Sequence, residues 1–285
     1  MNAIHILRFE HKILTLCRVL GVNRSSYYKH YSAPVAPRIL ENRQIKQKIL
    51  SLYSKTKKRV GYPKMTILLK REYCIHISPG RVYRLMKQMD LPKMSTRKVP
   101  KQKTVTSNFS SCQNQLDSFH PDEPNRAWCG DITYIKVGSR FAYLCVVMDL
   151  FSRKIIAWKL SRTADASLSC QTLESAIQKR KPTDSLLFHS DQGCQYTAAS
   201  FRKLLDEHDI IQSFSRKGSP WQNAPVEAFF RFLKHEELDR KTFTSLRELH
   251  LCIFEYIEGF YNPFRPHSHN NFLPPNSKEV AFFNI

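Results

Sequence analysis

The sequence predicts an α/β fold in which a mixed five-stranded sheet, flanked by helices, is preceded by a small all-α region. Between residues 125 and 261, three strand patterns follow one another at short intervals, and strand and helix patterns then alternate. Before residue 91, apolar residues recur at helical spacing instead. Consecutive antiparallel strands followed by alternating strands and helices predict a mixed sheet with helices on its faces.

The first 33 residues are predicted to be a helix-turn-helix-like segment. Apolar residues from Ile4 to Leu20 follow a helical spacing, and Gly21 suits a tight turn. Asn23 or Ser25 can cap the next helix. An ordinary helical hairpin explains the same pattern equally well.

Residues 38–91 are predicted to form a second helix-turn-helix-like unit, which would bind DNA. Helical spacing covers residues 39–53 and 65–72, and a basic loop lies between them. Ser78 is the expected N-cap of a third helix, and Pro79 its first residue. Residues 92–124 are rich in Lys, Arg, Pro, Ser and Thr and are predicted to be a basic linker.

The positive charge is concentrated in the N-terminal part. The formal net charge is +21, but residues 1–120 hold 24 Lys or Arg against 5 Asp or Glu, whereas residues 121–285 hold 21 against 19. A basic arm joined to a nearly neutral domain indicates a polyanionic partner. Solubility is the alternative explanation, but a mixed surface would serve it as well, so a nucleic acid is favoured.

The cysteines and the hydropathy indicate an intracellular protein without metal-binding thiols. The eight cysteines are scattered, and no two form a Cys-x-x-Cys pair. We therefore expect reduced, mostly buried thiols rather than zinc ligands. No uncharged apolar run reaches membrane-spanning length, and we expect a cytoplasmic protein that is not bound to a membrane.

Residues 125–285 are predicted to form the α/β core with a C-terminal helical tail. The predicted strands cover residues 128–137, 141–150, 154–160, 186–190 and 210–214. A helix is predicted over residues 164–179, and Thr197 is expected to cap the next one. Two further helices are expected, one beginning near Pro225 and one over residues 246–261.

Three acidic residues stand at positions where their carboxylates can converge. Asp131 lies on the first predicted strand, Asp191 at the carboxyl end of a buried strand, and Glu227 in the first turns of a helix. Thirty-five residues separate Asp191 from Glu227. A lone acid is usually a cap or a surface charge, but the three together in this order favour a metal site. Oxygen ligands alone favour magnesium or manganese.

Five sequence segments carry a resemblance to a known family. They are WCGDITYI, YLCVVMDLFSRKIIAW, LLFHSDQGCQY, SFSRKGSPWQNAPVEAFFRFLKHE and FYNPFRPHS. Together they resemble the ribonuclease-H-like, retroviral-integrase-like catalytic core of DDE transposases, and above all the second-frame transposase of the bacterial insertion-sequence-three family. The resemblance is strong over residues 120–285 and weaker before them. It departs from the family at Gln222, where Asp is usual, and at Cys194, where Ser is usual.

The resemblance implies a metal-dependent transposase. Asp131, Asp191 and Glu227 would be catalytic and would hold two Mg²⁺ or Mn²⁺ ions, with Asp131 bridging both. The enzyme would cleave the ends of its element and join the freed 3′-hydroxyl to target DNA. A catalytically inert DNA-binding remnant or regulator is the alternative, and a nuclease without strand transfer is a narrower one. Expected partners are double-stranded DNA of the element ends and target, further copies of the chain, and the upstream-frame protein, separate or fused.

Basic and polar residues around these features are the expected DNA contacts. Lys234 follows Glu227 by seven residues, which places both on one helix face, where the lysine can grip a phosphate. His189 can either bind DNA or pack internally, and Gln222 is expected to modulate activity without abolishing it. The expected contacts are Lys57, Lys58, Arg59, Arg81, Arg84, Gln195, Arg216, Lys217, Asn223 and Lys234.

Overall fold

The predicted five-stranded mixed sheet is present in the computed structural model, which describes residues 1–32, 36–91, 116, 119, 121–183, 185–215 and 223–284. Its strands run in the order β3-β2-β1-β4-β5. The first three pair antiparallel, while β4 pairs parallel with both β1 and β5. The ribonuclease-H-like order that the resemblance implies is therefore confirmed. The strands are β1 Ala127–Val137, β2 Arg140–Asp149, β3 Ile155–Ser161, β4 Leu186–Ser190 and β5 Ile210–Phe214.

Helices precede the sheet and cover it. In the described part of the chain, six come before β1, namely α1 Asn2–Leu7, α2 Ile13–Val19, α3 Arg24–Ser32, α4 Pro37–Lys55, α5 Tyr62–Tyr73 and α6 Pro79–Gln88. The others are α7 Ala166–Arg180, α8 Cys194–Thr197, α9 Ala199–Glu207, α10 Ala224–Glu236, α11 Leu246–Tyr256 and α12 Pro275–Phe283. A π-helical turn, Ile257–Tyr261, continues α11. Within the described ranges, no helix has both the length and the apolarity to cross a membrane.

The side-chain alternation of β1 separates two apolar layers. Trp128 packs with Phe188, Phe201 and the helices α7 and α9 on one face of the sheet. Its neighbours Ala127 and Cys129 belong to the layer on the other face, together with α10 and α11. Successive side chains of a strand point to opposite faces, so a single strand contributes to both layers.

The layer beneath α10 and α11 continues into the second helical unit. Residues of α4, α5 and α6, among them Ile49, Leu68 and Val82, are buried in the same apolar cluster as Phe229 of α10 and Tyr256 of α11. The helix-turn-helix-like region over residues 37–88 is thus packed against the sheet domain. By contrast, α1 to α3 form a small cluster of their own around Ile4, Leu16 and Tyr27.

Local sequence signals explain several boundaries. Ser78 caps α6 by accepting a hydrogen bond from the backbone N–H of Arg81, as predicted. Asn23 accepts from the N–H of Ser25 at the start of α3. Gly138 has φ of +58° in the turn between β1 and β2, a conformation that costs glycine little. These residues place the elements where the sequence expected them.

Three expectations about elements are corrected. The single helix expected from Ile4 to Leu20 is two helices, because charged residues interrupt the apolar stripe after Leu7 and Phe9 is 82% exposed. Thr197 ends the short helix α8 instead of capping α9, whose N-cap is Ala198. The structure also contains α12, which the sequence analysis did not predict, after Pro274 and with Pro275 at its start.

The cysteines in the described part of the chain are all free thiols. Burial raises the pKa of the Cys129 thiol and of the Cys145 thiol to about 12. Both are therefore protonated and inert at neutral pH, as expected for small apolar core residues. Cys74 and Cys194 are exposed.

Gly130 is expected to tolerate no larger side chain. A Cβ atom there would lie 2.5 Å from Cζ of Phe188, whose ring is 1% exposed and packed within the core. Gly130→Ala should therefore lower the free energy of unfolding by about 1–3 kcal/mol, the usual cost of overpacking. Urea unfolding checks this. The control is Gly80→Ala on α6, where nothing lies within 4 Å of the added atom, and which should leave stability unchanged or slightly higher.

Candidate active site

The pairing of β1 with β4 brings two of the three predicted acids side by side. The last pair of this parallel ladder joins Cys129 to His189. Asp131 lies two residues beyond Cys129, still within β1. Asp191 lies two residues beyond His189, directly after the end of β4. Neighbouring strands lie about 4.8 Å apart, so both acids stand at the carboxyl end of β4 on adjacent segments.

Local backbone hydrogen bonds orient both carboxylates. Oδ1 of Asp131 accepts from the N–H of Ile132 at 2.7 Å, and Oδ1 of Asp191 accepts from the N–H of Gly193 at 3.0 Å. Two N–H donors do not neutralise two carboxylates. Burial, followed by the charges of Asp191 and Glu227, raises the pKa of Asp131 well above its usual value. Burial also raises the pKa of Asp191. The site concentrates negative charge that solvent screens poorly.

Glu227 occupies the first turn of α10 and is exposed. Its charge acts on Asp131, so the helix carries it to the same side of the sheet. However, in the described part of the chain no three acidic, histidine or cysteine side chains form a group that could hold a metal ion. That all three carboxylates share a metal therefore stays a prediction. The three carboxylates repel one another, and hydration stabilises a glutamate that is exposed.

Lys234 lies beside the acids, on the face of α10 that carries Glu227. Its Nζ lies 5.0 Å from the centroid of the Tyr134 ring, three residues beyond Asp131 on β1. Burial lowers the pKa of Lys234, while the charges of Asp239 and Asp131 raise it. The ammonium is thus half-buried at the edge of the acidic site. Tyr134 could not be predicted as part of the site, because nothing in the sequence shows which ring a distant lysine contacts.

His189 is part of the scaffold beneath the site. It is fully buried, and its Nδ1 and Nε2 lie 2.9 Å and 3.0 Å from the hydroxyl oxygens of Ser213 and Ser215. Of the two readings that the sequence left open, the structure supports internal packing. The histidine fixes the end of β5 next to Asp191.

Of the polar residues expected to touch DNA near the site, Gln195 is bonded within the protein and Asn223 is buried. Nε2 of Gln195 donates to the carbonyl of Ala164 at 2.8 Å, so this amide links α8 to the start of α7. Asn223 is buried at the N-terminal end of α10, and its Oδ1 has no hydrogen-bond partner in the described residues. Arg216, Lys217 and Gln222 lie outside the described residues.

Five basic residues of the helical region were expected to contact DNA, and four of them lie at least partly at the surface. Lys58 and Arg84 are exposed. Lys57 is also exposed, but its Nζ lies 2.7 Å from Oε2 of Glu255. Arg81 pairs with Glu41 and also donates to Asn42. These four residues keep at least part of their side chains at the surface.

Arg59 does not fit the role expected for it. Its side chain is 3% exposed, and it pairs with Glu237 at 2.6 Å and with Glu255 at 2.7 Å. A buried guanidinium held by two carboxylates is unavailable to phosphates. We therefore assign Arg59 to the contact between the helical region and the core, and remove it from the expected DNA contacts.

Removing a charge from the acidic site is expected to stabilise the protein. Asp131→Asn should raise the Tm measured without divalent metal by about 2–4 °C, the shift that about 1 kcal/mol produces in a domain of this size. The reason is that burial and the neighbouring acids disfavour the ionised form of Asp131. Asp206→Asn, an exposed acid on α9, is the control and should leave the Tm unchanged. A lower Tm for Asp131→Asn would contradict the description of this site.

Comparison with protein families matches both regions of the chain. Residues 40–99 match an HTH-like domain, and residues 121–220 and 208–275 match two families that are each described as an integrase core domain. The chain is 33% identical over 276 residues to the transposase InsF for insertion sequence IS3A of Escherichia coli strain K12, covering 95% of this chain and 94% of that protein. It is 30% identical over 261 residues to an uncharacterized 31 kDa protein of insertion element IS600 of Shigella sonnei, covering 91% and 96%.

Solved structures with a similar arrangement are more distant. The Mos1 transposase catalytic domain, solved with raltegravir and manganese, is 21% identical with a TM-score of 0.42, covering 48% of this chain and 72% of that one. The HTLV-2 integrase catalytic core domain, solved with magnesium, is 17% identical with a TM-score of 0.39, covering 51% and 91%.

Proposed function

This chain belongs to the transposases of the IS3 insertion-sequence family, and from that membership we propose that it cleaves the ends of its own element and joins the freed 3′-hydroxyl to target DNA. The observation that carries the proposal is the pair Asp131 and Asp191, which the β1–β4 ladder holds side by side, where burial and the neighbouring acids raise the pKa of Asp131. Phosphodiester cleavage needs such a site, where a cation can be bound against the scissile phosphate.

The residues present suit a divalent cation. The donors are carboxylate oxygens, which favour Mg²⁺ or Mn²⁺ over softer metals. Burial, followed by the charges of Asp191 and Glu227, raises the pKa of Asp131, and a bound cation would offset both effects. Asp131 and Asp191 would hold the metal, and Glu227, in the first turn of α10, would join them. One or two ions bound there would activate the attacking hydroxyl and shield the charge that develops on the leaving oxygen.

The other residues of the site would bind and orient DNA. Lys234 lies beside Asp131, on the face of α10 that carries Glu227. Its ammonium would therefore bind an oxygen of a phosphate next to the scissile one. Lys58, Arg84, Lys57 and Arg81 would bind the backbone of duplex DNA further away. Arg216, Lys217, Gln195 and Asn223 remain predicted contacts, and so does the modulating role of Gln222. Assembly of several copies on DNA, and joining to an upstream-frame protein, also remain predictions.

A cleavage and joining assay tests the proposal. The full chain is incubated with a labelled duplex carrying the ends of its own element, an unlabelled target duplex and Mg²⁺. We expect nicking at the element boundary, transfer of the labelled strand to the target, and neither product when the metal is chelated.

The alternatives give different results in the same assay. Binding of end DNA without any nick, at every metal concentration, would identify an inert DNA-binding remnant. Nicking that never yields a joined product would identify a nuclease. A scrambled duplex of equal length is the control, because electrostatic binding alone does not distinguish sequences.

A further inference from the structure

The helix that carries Glu227 ends in two adjacent acidic residues that are both buried. Glu236 is the last residue of α10 and Glu237 its C-cap, and they are 1% and 4% exposed. The carboxyl end of a helix carries partial negative charge, so acids there are unfavourable unless cations compensate them. The cations near this end therefore decide whether α10 keeps its last turn.

Part of that compensation comes from the helix-turn-helix-like region. Nζ of Lys64, on α5, pairs with Oε1 of Glu236, and Nε of Arg59 pairs with Oε2 of Glu237 at 2.6 Å. Arg59 also reaches Glu255 of α11 at 2.7 Å. The remaining partners belong to the core, where Arg265 bonds Glu236 at 2.7 Å and Lys241 bonds Glu237 at 2.6 Å.

The pairs made by Glu236 lie on the side of α10 away from the acidic site. Nine residues, or about two and a half turns, separate Glu227 from Glu236, so the two point to opposite faces. One face carries Glu227 and Lys234 towards Asp131, and the other binds Lys64 and Arg265. A shift of α10 at this contact moves Glu227 relative to Asp131, because a helix of 13 residues moves as a rigid rod.

We infer that Lys64, assisted by Arg59, is a positioning residue for Glu227, through which the helix-turn-helix-like region sets the geometry of the active site. The inference rests on the proposed function, since it takes Glu227 to be a metal ligand. The region is then a DNA-binding unit that is also a structural part of the catalytic centre. Its displacement would withdraw Glu227 from the site.

Metal binding by variants of the full chain tests the inference without requiring catalysis. Mn²⁺ is titrated without DNA, and the rise in Tm gives the midpoint concentration for binding. Lys64→Met should shift that midpoint to roughly tenfold higher Mn²⁺. Lys64→Arg, which keeps the charge, should restore it. Lys70→Met removes the same charge from an exposed position on the same helix and should leave the midpoint unchanged.

Single-turnover cleavage at saturating end DNA is the second readout. Lys64→Met should slow it by roughly tenfold or more, and the deficit should shrink at high Mn²⁺. A residue that merely stabilises the fold would lower the Tm equally with and without metal and leave the midpoint unchanged, which would overturn the inference. If Lys64→Met does not fold, Lys64→Gln replaces it with the same expectation.

The two proposals fail separately. Parent chain that binds Mn²⁺ but cleaves no end DNA would count against the proposed function, and the midpoints would still decide the role of Lys64. Cleavage by the parent with an unchanged midpoint in Lys64→Met would overturn only the positioning role. A parent chain whose Tm does not respond to Mn²⁺ would overturn the positioning role, because Glu227 would then hold no metal without DNA, and the cleavage assay would still decide the proposed function.

Discussion

Replacing Asp191 by asparagine is expected to abolish cleavage of element ends, lowering the rate by at least roughly a hundredfold. Asparagine keeps the shape of the side chain and can still accept the hydrogen bond from the N–H of Gly193, but it loses the charge that binds a cation. Binding of end DNA should persist, because the basic residues are untouched. Gel-based nicking and a binding titration on the same preparation check both statements.

The matched control for this prediction is Asp206→Asn. Asp206 is an exposed acid on α9 in the same domain, so its variant loses the same charge away from the site. It should cleave at the parent rate. Cleavage by Asp191→Asn within a few fold of the parent would contradict the assignment of Asp191 to catalysis.

Glu236→Gln should cause the largest loss of stability, about 3–5 kcal/mol in the free energy of unfolding. The variant leaves Arg265 and Lys64 beside a neutral side chain that is shielded from water. Oε2 of Glu236 also accepts from the Tyr256 hydroxyl at 2.8 Å, so one carboxylate organises three partners. Urea unfolding at pH 7 measures the loss, and Glu258→Gln, an exposed acid after α11, is the control.

The difference in the free energy of unfolding between the parent and Glu236→Gln should depend on pH. Burial by itself would raise the pKa of Glu236, but Arg265 and Lys64 outweigh it and hold that pKa at about 2. A depressed carboxyl pKa stabilises the fold above the unfolded-state pKa, and that stabilisation is lost as pH falls towards the folded-state value. The difference between parent and Glu236→Gln should therefore be constant near neutrality and shrink between about pH 4.5 and about pH 2. A difference that does not change with pH would show that the carboxylate charge is not what stabilises the fold.

Strands and helices were predictable where local patterns determine them. The bounds of β4 and β5 agree with the predicted 186–190 and 210–214, because both are short apolar runs between turn residues. Ser78 and Pro79 likewise mark the start of α6. The order of the three acids was also readable from the sequence, since each follows or lies in an element with a clear pattern.

Long-range contacts were not predictable in the same way. Arg59 stands in a run of basic residues that indicates DNA binding, yet its partner Glu237 lies 178 positions along the chain. No local pattern specifies such a pair, and only the packing of α5 against α10 and α11 brings it together. The distance from Glu227 to the two aspartates was likewise undetermined, since it depends on the balance between carboxylate repulsion and hydration.

We propose that Asp131, Asp191 and Glu227 share a catalytic divalent metal. Anomalous scattering from crystals of the full chain bound to its end DNA and Mn²⁺ tests it most directly. We expect a manganese peak between the carboxylates of Asp131 and Asp191, with Glu227 completing the coordination. Manganese bound only elsewhere, with all three acids ordered, would contradict it.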